Sequence, residues 1–109
     1  MKSKLIIFSY GKHWVNEKGE LHREDGPAVE YDYGYSAWYQ HDVSHRLNGP
    51  AIEDAKGDKF WYQYGKLHRE DGPAIECADG IKVWFYHGGE IKCSSNEEFL
   101  RIIKLKAFW

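Results

Sequence analysis

Histidine, arginine and two acids stand side by side at His22, Arg23, Glu24 and Asp25, and again at His68, Arg69, Glu70 and Asp71. The surrounding stretch LHREDGPA is identical at residues 21–28 and 67–74, and a degenerate copy, SHRLNGPA, occupies 44–51. Such side chains offer two sharp chemistries. A histidine oriented by an acid can act as a general base, which would make His22 or His68 the centre of a hydrolase. Arginine clamps phosphate or carboxylate with paired donors. Stacked at equal spacing, His22–Arg23, His45–Arg46 and His68–Arg69 would form a ladder of donors suited to a nucleotide or a phosphorylated molecule.

The competing reading is structural, and it is favoured. Asp25 and Asp71 precede glycine and can accept backbone N–H bonds, as turn acids do. The arginines can pair with Glu30, Glu53 and Glu76, which recur at the same spacing. A polar ladder of this kind would fix the register of otherwise interchangeable hairpins. Catalytic sites seldom recur three times in one chain, so catalysis ranks last. A metal is not expected: three histidines would have to converge within ~2.1 Å of one ion, whereas successive units of a meander lie two or more strand spacings of ~4.8 Å apart. The chain holds no nucleophile elbow, phosphate loop or paired zinc ligands. Cys77 and Cys93 are not a C-x-x-C pair and read as reduced thiols. No cofactor is expected, and the chain reads as no enzyme.

The elements that position these residues follow a period of 23. Gly26, Gly49 and Gly72 keep it, each followed by Pro-Ala; so do Trp38, Trp61 and Trp84, with Trp14 one residue out of phase. One unit is GDKFWYQYGKLHREDGPAIECAD. KFWYQY reads as an aromatic strand, GK as a tight turn, LHRE as a short strand, DGP as a turn with glycine free to take positive φ, and AIEC as a strand. Short connections make the strands antiparallel. Alternation places Trp61 and Gln63 on one face and Phe60, Tyr62 and Tyr64 on the other; both faces carry rings. The fold class is therefore mainly β, an antiparallel hairpin meander with one C-terminal α-helix. Residues 1–9 form an N-terminal strand, 10–93 the repeats and 94–109 a capping helix, in a single domain of 109 residues.

The helix is expected from about Ser95 to Lys106. Ser and Asn precede Glu97 and Glu98, an N-cap with acids in the first turn. Phe99, Ile102, Ile103 and Lys106 share a face, with Leu100, Ala107 and Trp109 beside it. Such a stripe would cover the open end of the sheet.

Composition excludes other classes. With 15 basic and 17 acidic residues the net charge is −2, against a basic nucleic-acid or membrane surface. LIIF at 5–8 is the longest aliphatic cluster near the start, too short for a membrane span or a signal peptide, so the expected location is cytoplasmic. Aromatic residues reach 17%. Exposed rings would mark a binding face.

The unit WYQYGKLHREDGPAIE followed by DG resembles the MORN repeat, and more closely the GKLHREDGPA variant found in phage, bacterial and giant-virus proteins. The resemblance spans roughly residues 10 to 99, including the E-E-F ending at Glu97, Glu98 and Phe99. It implies a scaffold or protein-binding role without catalysis. The expected partner is a protein, with no specific nucleic acid and no membrane; a host protein, for example a defence factor blocked in the host cytoplasm, fits a phage origin. The oligomeric state is open. The middle unit departs from its neighbours at Asp42, Ser44, Leu47 and Asn48, so the candidate binding residues are Trp38, Tyr39, His41, Asp42, Ser44, Leu47, Asn48, Tyr62 and Tyr64. The alternative is the ladder of His22, Arg23, His45, Arg46, His68 and Arg69.

Overall fold

In a computed structural model that describes residues 3–106, short strands separated by turns fold back on one another. Strands β1 (Lys4–Phe8), β2 (Gly11–Val15), β3 (Val29–Tyr31), β4 (Ser36–Ala37), β7 (Ile52–Glu53), β8 (Lys59–Phe60), β11 (Ile75–Glu76), β12 (Lys82–Tyr86) and β13 (Gly89–Ile91) lie side by side in that order. Every pairing is antiparallel. Two small hairpins leave this sheet, β5 (Tyr39–Gln40) with β6 (Val43–Ser44) and β9 (Tyr62–Gln63) with β10 (Lys66–Leu67). The result is a flat slab of 45 × 31 × 17 Å. The mainly β meander with a single C-terminal helix is thus observed.

Four details differ from the sequence reading. The aromatic strand is not continuous: it breaks at Trp61, whose N–H donates to the Ala74 carbonyl while its own carbonyl accepts from His68 N–H. Trp38 and Trp14 make the equivalent bonds, to Ala51 and Ala28 on one side and from His45 and His22 on the other. The chain steps from sheet to hairpin at Trp38 and Trp61, whereas Trp14 and Trp84 lie inside the unbroken strands Gly11–Val15 and Lys82–Tyr86. Second, the tight turn is Tyr64-Gly65, not Gly-Lys, with φ of 51° and 78°. Two successive positive φ values match the twist of a two-residue hairpin. His41-Asp42 (49°, 64°) and His87-Gly88 (49°, 85°) repeat it. Third, LHRE is strand only at Leu67; residues 68–74 run as an irregular loop. Fourth, Gly26, Gly49 and Gly72 are not at positive φ, so their recurrence in every unit needs another cause.

Little aliphatic core exists. The fully buried small residues are Ala28, Ala51 and Ala74, one per unit, and Ala37 in the middle unit. Among the described residues, the one cluster of large buried side chains is Trp84, Ile91 and Phe99 at the C-terminal end. There the helix α1 (Asn96–Lys106) packs against β12 and β13, with Ile102 and Ile103 against the same cluster. Ser95 Oγ accepts the Glu98 N–H at 3.2 Å, and the Glu98 carboxylate accepts the Ser94 N–H at 2.7 Å. These bonds satisfy donors that a helix start leaves free. Leu100 stays exposed. Ala107 and Trp109, and the side chain of Lys106, lie outside the described residues.

Candidate functional site

The repeated loops recur once per unit, and their histidines and arginines turn inward. Each arginine lies over the tryptophan of its own unit: the guanidinium carbon is 3.9 Å from the Trp14 ring centre for Arg23, 4.0 Å from Trp38 for Arg46 and 3.9 Å from Trp61 for Arg69. Nη1 donates to the proline carbonyl of the same loop, Pro27, Pro50 or Pro73, at 3.0–3.2 Å. The loop glycine closes the other side. A Cβ at Gly26, Gly49 or Gly72 would stand 2.7, 2.8 or 2.9 Å from the guanidinium carbon. The recurrent glycine of the repeat therefore makes room for the arginine rather than for a turn.

The acids hold the arginine too. Asp25 accepts from Arg23 Nε at 3.1 Å and Asp71 from Arg69 Nε at 2.8 Å, in place of the turn N–H bonds expected of them. Glu30 and Glu76 reach Arg23 and Arg69 at 3.9 and 3.1 Å. In the middle unit Asn48 stands where the aspartate would be. Among the described residues no carboxylate, Glu53 included, lies within ion-pair distance of Arg46.

Each histidine staples its unit to the next. His22, His45 and His68 are buried. Nδ1 accepts a backbone N–H from the first residue of the following tight turn: His41 at 3.2 Å, Tyr64 at 3.0 Å and His87 at 2.8 Å. The rings of those donors lie against the histidines with centroids 4.6, 4.4 and 4.2 Å apart, tilted at His22 and His45 and stacked at His68. Burial pushes the imidazoles of His45 and His68 below the usual histidine range; for His68 the facing His87 adds to this and Glu70 opposes it. A ring that accepts at Nδ1 must be neutral there. The six ladder residues are thus brought together, but facing the protein.

What faces outward is the loop edge. Glu24, Asp25, Glu70 and Asp71 are exposed. Between them Leu47 is 62% exposed and Asn48 is exposed. Two grooves meet at this pair. One, of about 360 Å³, runs between Glu24–Asp25 and Leu47–Asn48 over Trp38, Gln40 and Arg46. The other, of about 700 Å³, runs between Leu47–Asn48 and Glu70–Asp71 over Trp61 and Gln63.

The remaining candidates divide. Trp38 belongs to the groove floor. Asp42 acts structurally, because its carboxylate accepts the Leu21 N–H while its own N–H donates to the Leu21 carbonyl. These bonds tie down a turn where the equivalent residues are glycine. Ser44 pairs with Tyr39, and its carbonyl accepts from Gly65. Tyr64 (75% exposed) and exposed His41 lie at turn tips, their rings against His45 and His22. Tyr39 and Tyr62 are half-buried in the hairpin strands β5 and β9.

One cluster went unnoticed in the sequence. Phe8, Tyr10, His13, Tyr31, Tyr33 and Tyr35 form a chain of rings with neighbouring centroids 4.7–5.7 Å apart. His13 Nε2 and the Tyr31 hydroxyl are 3.0 Å apart. Burial pushes the Tyr31 and Tyr35 hydroxyls above the usual tyrosine range. The alternation Y-D-Y-G-Y at 31–35 is the signal for it, since alternate strand residues share a face.

Among the described residues no group of three histidines, cysteines or acids could hold a metal. Cys77 and Cys93 are unpaired, and burial raises both thiols above the usual range, which disfavours the nucleophilic thiolate. Among the described residues no helix is long and apolar enough to cross a membrane. No family model, no curated protein and no solved structure matches this chain.

Proposed function

We propose that the protein is a non-enzymatic binding module that docks a protein partner on the middle of its loop edge. One observation supports this reading above the others. The middle loop keeps the Trp38–Arg46–Gly49 sandwich of its neighbours, yet it replaces their two exposed acids by Leu47 and Asn48, at the meeting of two grooves. An exposed leucine flanked by polar clefts is the pattern of an interface centre with a polar rim. The resemblance to MORN-like repeats, which occur in protein-binding scaffolds, supports the same class. Within that class the proposed partner is a bacterial host protein, met and blocked in the host cytoplasm.

The ladder reading, a nucleotide or phosphorylated ligand held by His22, Arg23, His45, Arg46, His68 and Arg69, gains nothing from the geometry. Each guanidinium sits over a tryptophan with Nη1 on a backbone carbonyl, and the outer rim is acidic.

The test restores the repeat. Leu47→Glu with Asn48→Asp makes the middle loop match a sequence that folds twice elsewhere in this chain, so the fold is retained. Wild-type and doubly substituted protein are used to capture partners from host lysate with crosslinking. A partner held by the wild type and released by the double variant is the expected result. A partner held equally by both, or none held by either, overturns the assignment.

A further inference from the structure

The two ends of the sheet are finished differently, and among the described residues nothing pairs with the N-terminal edge. β1 is an edge strand with sequence KLIIF. Leu5 is 45% exposed, Ile6 37% and Ile7 72%. Apolar residues on both faces suit a strand flanked on both sides, whereas edge strands ordinarily carry charge, proline or a bulge. β13, at the other edge, carries Glu90 ion-paired to Lys92 and has Ile91 under the helix.

The backbone of β1 is half used. Trp14 N–H donates to Ala28 and Tyr10 accepts from Asp32, so the even residues of β2 bond toward β3 and the odd ones toward β1. The odd residues 11, 13 and 15 face Phe8, Ile6 and Lys4. In an antiparallel ladder bonding alternates along the strand. The N–H and C=O groups of Leu5 and Ile7 therefore point to the open side.

We infer that β1 pairs antiparallel with β1 of a second copy, about a two-fold axis at Ile6, and joins two nine-stranded sheets into one. Three features select this occupant. The outward residues Leu5 and Ile7 fall opposite Ile7 and Leu5 of the second copy, so the unused bonding groups are in phase and four N–H···O bonds form. Ile6 meets its own counterpart on the opposite face. Lys4, the one charged residue of the strand, falls opposite Phe8 of the second copy, so no like charges face each other. This contact lies on a different edge from the proposed docking groove and does not depend on it.

Sedimentation or light scattering on the full chain tests this, from about 5 to about 500 µM, because strand-edge contacts below ~1,200 Å² are weak and concentration-dependent. The expected mass rises from one chain to two and stops there. Ile7→Lys, at a side chain already mostly exposed, keeps the circular dichroism spectrum and gives one-chain mass throughout. Ile7→Pro removes an outward N–H that β2 does not use and gives the same result. One-chain mass for the wild type at the highest concentration overturns the proposal. So does two-chain mass in Ile7→Lys. Growth without limit overturns it as well, because it means that β1 adds to β13 of the next copy.

Discussion

Four tryptophans hold corresponding places along the meander, and two different lids cover them. Trp14, Trp38 and Trp61 each carry an arginine from the next loop of their own unit, closed from behind by a glycine. Trp84 has no such loop after it. Its ring is buried beneath Phe99 of the helix, and its Nε1–H donates to Asn96 Oδ1 at 2.8 Å. A cationic lid leaves the ring half-buried and one edge open to a groove. The helical lid excludes water. The difference follows from position: a middle unit can borrow its neighbour's tight turn through a histidine staple, while the last unit has no neighbour and must end in a cap.

The helical lid is the place where the larger loss is expected. Phe99 is fully buried, and Phe99→Ala should cost about 3–5 kcal/mol, as large buried aromatics do. Loss should concentrate in β12, β13 and α1, seen as faster amide exchange there and a red-shifted fluorescence from Trp84. Uniform loss across all units would mean that the cap and the repeats fold as one block, and the contrast between the lids would collapse.

The cationic lid makes a subtler demand. Gly26→Ala places a methyl group against a guanidinium pinned between the Trp14 ring and the Pro27 carbonyl. Such overpacking costs about 1–3 kcal/mol. Arg23→Ala removes the obstacle, so adding Gly26→Ala to it should cost nothing further in a denaturation series. A coupling energy near zero in that double-mutant cycle would show that the glycine serves something other than the arginine.

The glycine–arginine pair also shows why part of the architecture is not legible in the sequence. The period of 23, the antiparallel order and the helix were legible, because they rest on local spacing and on capping residues such as Ser95 and Glu98. The role of Gly26 was not, since glycine before proline normally signals a turn, and only the folded position of Arg23 reveals the true constraint. The tight turn at Tyr64-Gly65 was misplaced by one residue because a tyrosine at positive φ is uncommon; here it is held by the bond from its own N–H to His45. At the candidate site, Leu47 and Asn48 were legible as breaks in the repeat. The arginines were legible as a ladder, but not that they face inward.

The histidine staples give the smallest effect, and they separate repeats from cap by pH. His45 and His68 titrate lower in the folded protein than their ordinary value. Below about pH 6.5 the unfolded chain then binds more protons than the folded one. The stability contributed by these residues is therefore complete above that pH, declines as the pH falls through it, and levels off below the depressed folded value. Protonation also removes the Nδ1 lone pair that accepts the N–H of Tyr64 or His87. Glu20, held below the usual carboxylate range by the bond from Asn16 and by the facing His41, acts separately, since its carboxylate is lost only on further acidification. The melting temperature should thus fall between about pH 8 and about pH 5.5. His68→Gln, whose amide oxygen accepts without titrating, should melt lower at the upper end and lose less across the range. Equal slopes for the two proteins would show that His68 does not carry the staple. The helix has no histidine, so amide exchange in α1 should change less with pH than exchange at Tyr64 and His87, and a cap that loosens first on acidification would reverse the order of the two lids.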